Sequence, residues 1–295
     1  MDTRQMIADW CEMWPRLNSI QRDAMISCFA AANSRGPDSG ELWGAVAALA
    51  TAANVRVTSP EPRTPETFWA MRSAMDALEP DDWRTFNNVA FALHRGNVFD
   101  EQFECPEGGG IVYTFVPRYL DFLSILEAER IHLGIEEPTM LDVGCWQGTL
   151  MLEMAQRRFH VTGTDIGEAL GEVVAERTTW LKPEAQARVH GFRAGWAHEV
   201  LPEMGQFDIV TSQETLEHVP TAVLQETCDA ILGAARHTVL MTVPGWDDTW
   251  AAHLRVFTGE SLSALFHPEE NEVEVLRAPG VMCYTTVRVR KKGAV

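Results

Sequence analysis

Apolar residues in the first third of the chain recur every three to four positions, in segments that end at proline or glycine. Met6, Trp10 and Trp14 share one helical face before Pro15 ends the first segment. Four further helical segments follow, and they begin near Ile20, Leu42, Pro65 and Pro80. The spacing therefore predicts five helices within residues 1–110, with a flexible break at the three glycines 108–110.

A sixth amphipathic helix is predicted from Pro117 to Gly134, and after it the pattern changes to short apolar runs. The seven candidate strands are Met140–Val143, His160–Asp165, Arg188–Arg193, Phe207–Ser212, Thr238–Val243, Glu272–Leu276 and Val281–Val289. Helix-length connections separate the first five, which is typical of a parallel, doubly wound sheet. A short turn at residues 278–280 separates the last two, so they are expected to form an antiparallel pair at one edge.

These patterns predict an α/β fold, with a seven-stranded sheet, helices on both of its faces and an N-terminal helical domain. We expect residues 1–110 to form a helical cap or dimerisation region. Residues 111–137 would supply a linking segment and a helix, and residues 138–292 would form the sheet domain.

The net charge of the chain disfavours two classes of binding partner. The formal net charge is −18, which disfavours nucleic acid and anionic membrane surfaces as partners. No run approaches the roughly 20 apolar residues of a membrane span, and the polar start is unlike a secretory signal. The six cysteines form no CxxC pair, so we expect scattered reduced thiols and a cytoplasmic protein.

The most informative stretch runs from Met140 to Thr149. An apolar strand ends in the acid Asp142, a turn bounded by Gly144 and Gly148 follows, and a helix begins. Glycines allow the backbone to approach a ligand closely, and a helix start offers N–H groups. About 20 residues later the second strand ends in Asp165, where an acid can bind the two hydroxyls of a ribose.

These motifs resemble the class I S-adenosylmethionine-dependent methyltransferases, whose first motif reads roughly (V/L)LDxGxGxG. Here Leu141–Gly148 keeps the acid and the outer glycines, while Trp146 replaces the middle glycine. The segment 207–220 resembles the FDxV…LEHV region of small-molecule methyltransferases, including the ubiquinone-biosynthesis O-methyltransferase group. The resemblance covers about residues 138–292 and implies a Rossmann-like methyltransferase sheet that binds S-adenosyl-L-methionine.

The resemblance also implies a role for each matching residue in cofactor binding. Asp142 would lie near the cofactor's ammonium group, against the turn from Gly144 to Gly148. Asp165 would bind the ribose hydroxyls, and Ile166 would pack on the adenine. Other expected cofactor contacts are Trp146, Trp196, Ala197, Gln213, Arg118 and Tyr113. An acid that often meets the adenine amine is missing after the third strand, where Trp196 could stack on the adenine or the Ala197 backbone could serve.

The loop after the fifth strand is expected to line the acceptor pocket, because open α/β sheets bind ligands at this edge. Its candidate substrate residues, with Glu214 from the preceding strand end, are Trp246, Asp248 and Trp250. The candidate catalytic residues are His253 as the leading base, His218 as the second and Asp247. Glu214, Glu217 and His218 also match a metal-associated pattern of the ubiquinone O-methyltransferases, although we expect no metal here.

The predicted activity is in-line transfer of a methyl group to an oxygen, nitrogen, sulfur or carbon atom of a small molecule. A base is needed only where the acceptor loses a proton, so S-methylation of an amino-acid thioether such as methionine is an alternative. A protein methyltransferase and a non-catalytic cofactor-binding homologue are further alternatives. A homodimer is possible, and neither nucleic acid nor membrane is an expected partner.

Overall fold

The computed structural model describes residues 2–33, 40–52, 65–94, 103–104, 112–113, 117–245, 252–276 and 284–292. The chain divides into two compact units. The helical unit comprises residues 1–101 together with the short segments 167–169 and 248–255. The sheet unit comprises residues 102–166, 170–247 and 256–295. The domain boundaries inferred from the sequence remain proposals.

Five helices in the described ranges of the helical unit confirm the periodicity of the first hundred residues. They are α1 (Thr3–Met13), α2 (Ser19–Asn33), α3 (Gly40–Ala52), α4 (Pro65–Asp76) and α5 (Pro80–His94). Asp2 caps α1 by accepting a hydrogen bond from the Arg4 N–H at 3.0 Å. The Phe29 ring lies 5.2 Å from the ring centroids of both Trp10 and Phe86, so aromatic packing joins α1, α2 and α5.

A small hairpin precedes the sheet proper. Strands β1 (Phe103–Glu104) and β2 (Val112–Tyr113) pair antiparallel. The expectation that residues 1–110 are helical is therefore wrong at β1, because a two-residue strand is too short to display the alternation that identifies strands. The predicted glycine break lies outside the described residues. Helix α6 (Pro117–Leu133) follows and confirms the sixth predicted helix.

The sheet unit contains one seven-stranded sheet, and its order is β5-β4-β3-β6-β7-β9-β8. Its strands are β3 (Thr139–Val143), β4 (His160–Asp165), β5 (Val189–Ala194), β6 (Phe207–Gln213), β7 (Ala235–Pro244), β8 (Asn271–Leu276) and β9 (Tyr284–Lys291). The strands β3 to β7 are parallel, whereas β9 runs antiparallel to both β7 and β8. The predicted parallel sheet with an antiparallel pair at one edge is confirmed.

Helices cover this sheet and form its core. They are α6, α7 (Thr149–Gln156), α8 (Leu170–Thr178), α9 (Pro183–Gln186), α10 (Ala197–Val200), α11 (Thr221–Ala234) and α12 (Gly259–Ala264). Leu126 of α6 and Met151 of α7 belong to one buried cluster with Met140, Ile209 and Leu240 of the central strands. Because the central strands are parallel, the residues at their carboxyl ends share one edge of the sheet, where open α/β folds bind ligands.

The described residues also address the expectations about membrane-spanning segments and cysteines. None of these helices is long and apolar enough to cross a bilayer. Among the described cysteines, Cys28, Cys145 and Cys228 are buried and outside any disulfide, whereas Cys11 is exposed. The other two cysteines, Cys105 and Cys283, lie outside the described residues.

Candidate active site

The central strand β3 carries a buried carboxyl group one residue before its end. Asp142 is 3% exposed, and Thr211 of β6 donates a hydrogen bond to its Oδ1 at 2.8 Å. Burial raises the pKa of Asp142 to about 7; the Thr211 hydrogen bond opposes this rise, and the charge of Asp165 adds to it. A bound cation would stabilise the ionised form of this carboxyl group.

The turn after β3 is closed by its own backbone. The N–H groups of Gly144 and Cys145 donate to the Thr164 carbonyl of β4 at 2.8 and 3.0 Å, and the Gly148 N–H donates to the Cys145 carbonyl at 2.8 Å. Gly144 has φ +73°, and a Cβ at this position would overlap the Thr215 side chain. Both facts require glycine at position 144, and they bring the backbone of the turn against the segment after β6.

Trp146 occupies the middle of this turn in a left-handed conformation, with φ +50°. This conformation costs about 1 kcal/mol for any residue except glycine. The cost explains why glycine stands at this position in the motif of the methyltransferases that the chain resembles. The Trp146 N–H donates to Oδ2 of Asp165 at 3.0 Å. Asp165 closes β4 and is 8% exposed. The two strand-end acids therefore lie on either side of one turn, and one of them is fixed by the turn's backbone.

A buried arginine holds the turn on its other side. Arg177 of α8 is 4% exposed and donates to the Gln147 carbonyl at 3.3 Å and to Gln147 Oε1. The Gln147 side chain is also buried. Because hydrogen bonds to a charged donor are stronger than neutral ones, Arg177 positions the turn that follows β3.

Replacing Arg177 with methionine is expected to lower the free energy of unfolding by about 2 kcal/mol, because the buried oxygens of Gln147 would lose a donor. Urea unfolding would measure this change, and binding of S-adenosylhomocysteine should weaken in the same variant. The matched control is Arg193→Met, whose exposed side chain pairs with Glu203 and should contribute little. Equal losses in the two variants would contradict a positioning role for Arg177.

The end of β5 brings two predicted residues, Trp196 and Ala197, to the neighbourhood of Asp165. The Gly195 N–H donates to the Asp165 carbonyl at 2.9 Å, and Trp196 follows as the residue before α10. The Trp196 side chain is buried, and its Nε1 has no hydrogen-bond partner among the described residues. Ala197 begins α10, and Ile166 is half-buried directly after Asp165. The predicted adenine contacts thus lie at two adjacent strand ends.

The end of β6 carries the remaining polar candidates of the sheet unit. Gln213 closes the strand, and Glu214 follows in a left-handed conformation with φ +51°. Thr242 of β7 holds Glu214, because its carbonyl accepts the Glu214 N–H at 2.9 Å and its Oγ1 donates to Glu214 Oε1 at 3.1 Å. Glu217 is fully buried, and the His218 Nε2 lies 4.0 Å from its Oε1. Two carboxyl groups and an imidazole therefore follow this strand within five residues.

Several predicted site residues lie outside the described part of the chain. They are Trp246, Asp247, Asp248 and Trp250, together with the side chains of Tyr113 and Arg118. His253 is described, and it belongs to the helical unit. In the same unit, the Arg255 guanidinium pairs with Asp76 of α4 at 3.0 Å. The roles assigned to all these residues stay predictions.

Sequence reasoning missed three residues that shape the turn: Thr211, Thr215 and Arg177. A signal exists for Thr211, because the parallel register pairs it directly with Asp142 once the strand order is assumed. No comparable signal marks Arg177, which is one charge among several on an ordinary surface helix. The contact of Thr215 with Gly144 depends on the path of the loop after β6.

Comparison with known proteins identifies this part of the chain. Residues 140–237 match a family described as the methyltransferase domain. The chain is 38% identical over 120 residues to the ubiquinone biosynthesis O-methyltransferase of Pseudomonas paraeruginosa (strain DSM 24068 / PA7). This match covers 37% of this chain and 46% of that protein. It is 35% identical over 127 residues to the enzyme of the same name from Marinobacter nauticus. This match covers 39% of this chain and 47% of that protein. The chain thus spans less than half the length of these relatives.

One solved structure supports the fold. The methyltransferase domain of bacterial CtHen1-C is 15% identical, with a TM-score of 0.50, over 59% of this chain and 98% of that one. At this identity the likeness shows the fold alone. The matched family, the strand order and the acid–turn–helix geometry after β3 agree with one another. Residues 140–237 therefore carry a methyltransferase domain, and its sheet has the Rossmann-like fold of the class I S-adenosylmethionine-dependent enzymes.

Proposed function

We propose that this chain binds S-adenosylmethionine at the carboxyl ends of β3 and β4 and methylates a small molecule. The observation that carries the proposal is the buried Asp142 carboxyl, whose pKa of about 7 reflects burial and the nearby charge of Asp165. A ligand that brings positive charge to this edge would relieve the cost of ionising Asp142. S-adenosylmethionine carries both an ammonium and a sulfonium group.

The remaining geometry fits the other parts of that cofactor. Asp165 has one oxygen bound to the Trp146 N–H, and a carboxylate can accept several hydrogen bonds, so it can also bind ribose hydroxyls. Gly144 and Gly148 have positive φ angles, so the turn adopts a backbone course that other residues would strain. Trp196 and Ile166 supply apolar surface for the adenine, and the Trp196 Nε1–H supplies a donor.

Bound S-adenosylmethionine supplies an electrophilic methyl group on a positively charged sulfur. The work of the protein is then to align an acceptor atom with that methyl group and to exclude water. For a hydroxyl acceptor a base must also take a proton. His218, half-buried after β6, is a base candidate of the sheet unit, and His253 remains the leading candidate by its place after the fifth strand.

An oxygen acceptor is the first class to test, because the relatives with 35–38% identity are named O-methyltransferases. The acceptor of these relatives cannot be assigned to this chain, since the match spans less than half of their length. The net charge of −18 favours a neutral or cationic small molecule over nucleic acid. A cytoplasmic location and a homodimer belong to the same proposal.

The decisive experiment has two stages. Calorimetry should first detect binding of S-adenosylmethionine and S-adenosylhomocysteine to the full chain at one site. A panel of phenols, catechols, carboxylic acids, amines and thioethers should then be screened with a methyl-labelled donor and read by mass shift. Absence of cofactor binding at millimolar concentration would refute the proposal, whereas binding without transfer to any hydroxyl would refute only its oxygen acceptor.

Cofactor affinity is expected to fall about tenfold per pH unit as the pH drops below about 7. The cofactor's ammonium group binds the ionised form of Asp142, whose pKa is raised in the free protein, so a proton must leave for binding. Calorimetric titrations with S-adenosylhomocysteine between pH 5.5 and 8 would measure the slope. Methylthioadenosine lacks the ammonium group and serves as the control, and a slope equal to that of S-adenosylhomocysteine would contradict this role of Asp142.

A further inference from the structure

Two histidines meet at the amino-terminal end of the sheet. His160 is the first residue of β4, and its Nδ1 lies 2.9 Å from the Nε2 of His190 in β5. The strand register explains the meeting. Val161 pairs with Val189 and Thr162 with Gly191, so His190 is the extra residue of a bulge. Bulges redirect side chains, and this one brings the His190 ring against that of His160.

A carboxylate lies beside the first ring. Glu137 Oε2 lies 3.5 Å from the His160 Nε2, while Glu137 Oε1 accepts hydrogen bonds from Arg158 at 3.1 Å and Arg188 at 3.2 Å. The Arg158 hydrogen bond lowers the pKa of Glu137, so this carboxyl group is ionised at neutral pH. An ionised carboxylate beside Nε2 favours the tautomer with its proton on Nε2, which leaves Nδ1 of His160 unprotonated. Without metal, His190 Nε2–H donates a hydrogen bond to this Nδ1. A bound metal ion would replace that proton, and His190 would then carry its proton on Nδ1.

The spacing of the two nitrogens matches a metal-binding geometry. Imidazole nitrogens bind first-row metals at roughly 2.0–2.1 Å, so two of them at a right angle lie about 2.9 Å apart. The tetrahedral angle typical of zinc would require about 3.3 Å. A right angle is the angle between adjacent ligands in tetragonal Cu²⁺ complexes, and Cu²⁺ also binds nitrogen ligands most tightly among the common divalent metals.

We propose that His160 Nδ1 and His190 Nε2 form a two-nitrogen site for Cu²⁺, with Glu137 as the carboxylate that orients His160. The His160 side chain is 32% exposed and His190 is also exposed, so water can complete the coordination. The carboxylate–histidine–metal arrangement is a recurrent one in metalloproteins. His160 and Asp165 are opposite ends of one strand, about 16 Å apart, so copper binding is independent of the proposed methyl transfer.

The test uses the full chain, stripped with a chelator and titrated with Cu²⁺. We expect one tightly bound ion per chain, with an electron paramagnetic resonance spectrum that shows coupling to two nitrogens. His160→Ala and His190→Ala should each weaken binding at least tenfold, and Glu137→Gln about tenfold. The matched control is His132→Ala, an exposed histidine of α6, which should leave the affinity unchanged.

Two results would overturn the proposal. One is a spectrum without two-nitrogen coupling, which would mean that the rings form only a hydrogen bond with each other. The other is an equal loss of affinity in the His132 and His190 variants, which would indicate nonspecific surface binding. Circular dichroism would confirm that each variant is folded. Binding of S-adenosylhomocysteine, measured in the same samples, keeps a failure of this proposal separate from a failure of the proposed methyltransferase activity.

Discussion

Changing Asp165 to asparagine is expected to weaken S-adenosylmethionine binding about 30-fold. One carboxylate oxygen of Asp165 accepts the Trp146 N–H at 3.0 Å, and we propose that the group also accepts the ribose hydroxyls. A hydrogen bond to a charged acceptor contributes about 1.5–3 kcal/mol. Asparagine keeps one acceptor oxygen for Trp146 but loses the charge and the second acceptor, so about 2 kcal/mol of binding free energy should disappear. Calorimetry with S-adenosylmethionine would measure the change.

A second readout separates this role from a purely structural one. The charge of Asp165 contributes to the raised pKa of Asp142, so its removal should lower that pKa. The pH below which cofactor binding weakens should then move downward in Asp165→Asn. The matched control is Asp229→Asn on the exposed face of α11, which should change neither the affinity nor the pH profile. Unchanged affinity in Asp165→Asn would mean that another group binds the ribose.

The strands and their terminal acids could be predicted from the sequence, and physical reasons explain why. A parallel strand covered on both faces is a short apolar run, and a carboxyl group interrupts such a run where the strand leaves the core. Asp165 ends both the predicted and the observed strand, and Asp142 is the only acid of β3. Glycines bracketing a turn indicate a backbone conformation that other residues rarely adopt, and Gly144 and Gly148 do have positive φ angles.

The supporting polar contacts could not be predicted, because they join residues far apart in the chain. Arg177 reaches Gln147 across 30 positions, and Glu129 reaches Thr238 across 109. In the sequence each is a charge on a helix, where a solvated side chain is the ordinary interpretation. Only the packing of the helix on the sheet decides that the charge is buried. The bulge that brings His190 to His160 is hidden in the same way, since it depends on strand register.

Removing the Glu129 side chain should cause the largest loss of stability in the sheet unit. Glu129 of α6 is 1% exposed. Arg290 of β9 binds its carboxylate with two hydrogen bonds, at 3.0 and 2.7 Å, and Thr238 of β7 donates a third at 2.6 Å. A second guanidinium, that of Arg288, lies 3.6 Å away. One carboxylate thus joins a helix to two strands of the sheet, and its loss leaves Arg290 without its main partner.

Glu129→Ala is expected to lower the free energy of unfolding by about 3–5 kcal/mol, the usual effect of removing one partner of a buried ion pair. Urea unfolding followed by circular dichroism would measure it. Glu274→Ala is the matched control, because Glu274 pairs with Arg288 from the exposed side and should contribute less than about 1 kcal/mol. A loss below about 1 kcal/mol in Glu129→Ala would show that water readily replaces the carboxylate.

The pH dependence of the free energy of unfolding provides an independent test of the Glu129 contacts. Burial alone would raise the pKa of Glu129, but the hydrogen bonds from Arg290 and Thr238 outweigh it and hold the pKa below its ordinary value of 4.5. A carboxyl group with a lowered folded pKa stabilises the protein fully above its unfolded pKa, and this stabilisation is lost as the pH falls through the folded value. The difference in stability between the natural chain and Glu129→Ala should therefore be constant from pH 8 to about 5.5 and shrink below about pH 4.5. Combining Glu129→Leu with Arg290→Leu should recover part of the loss, because the double variant leaves no unpaired charge of this pair in the interior.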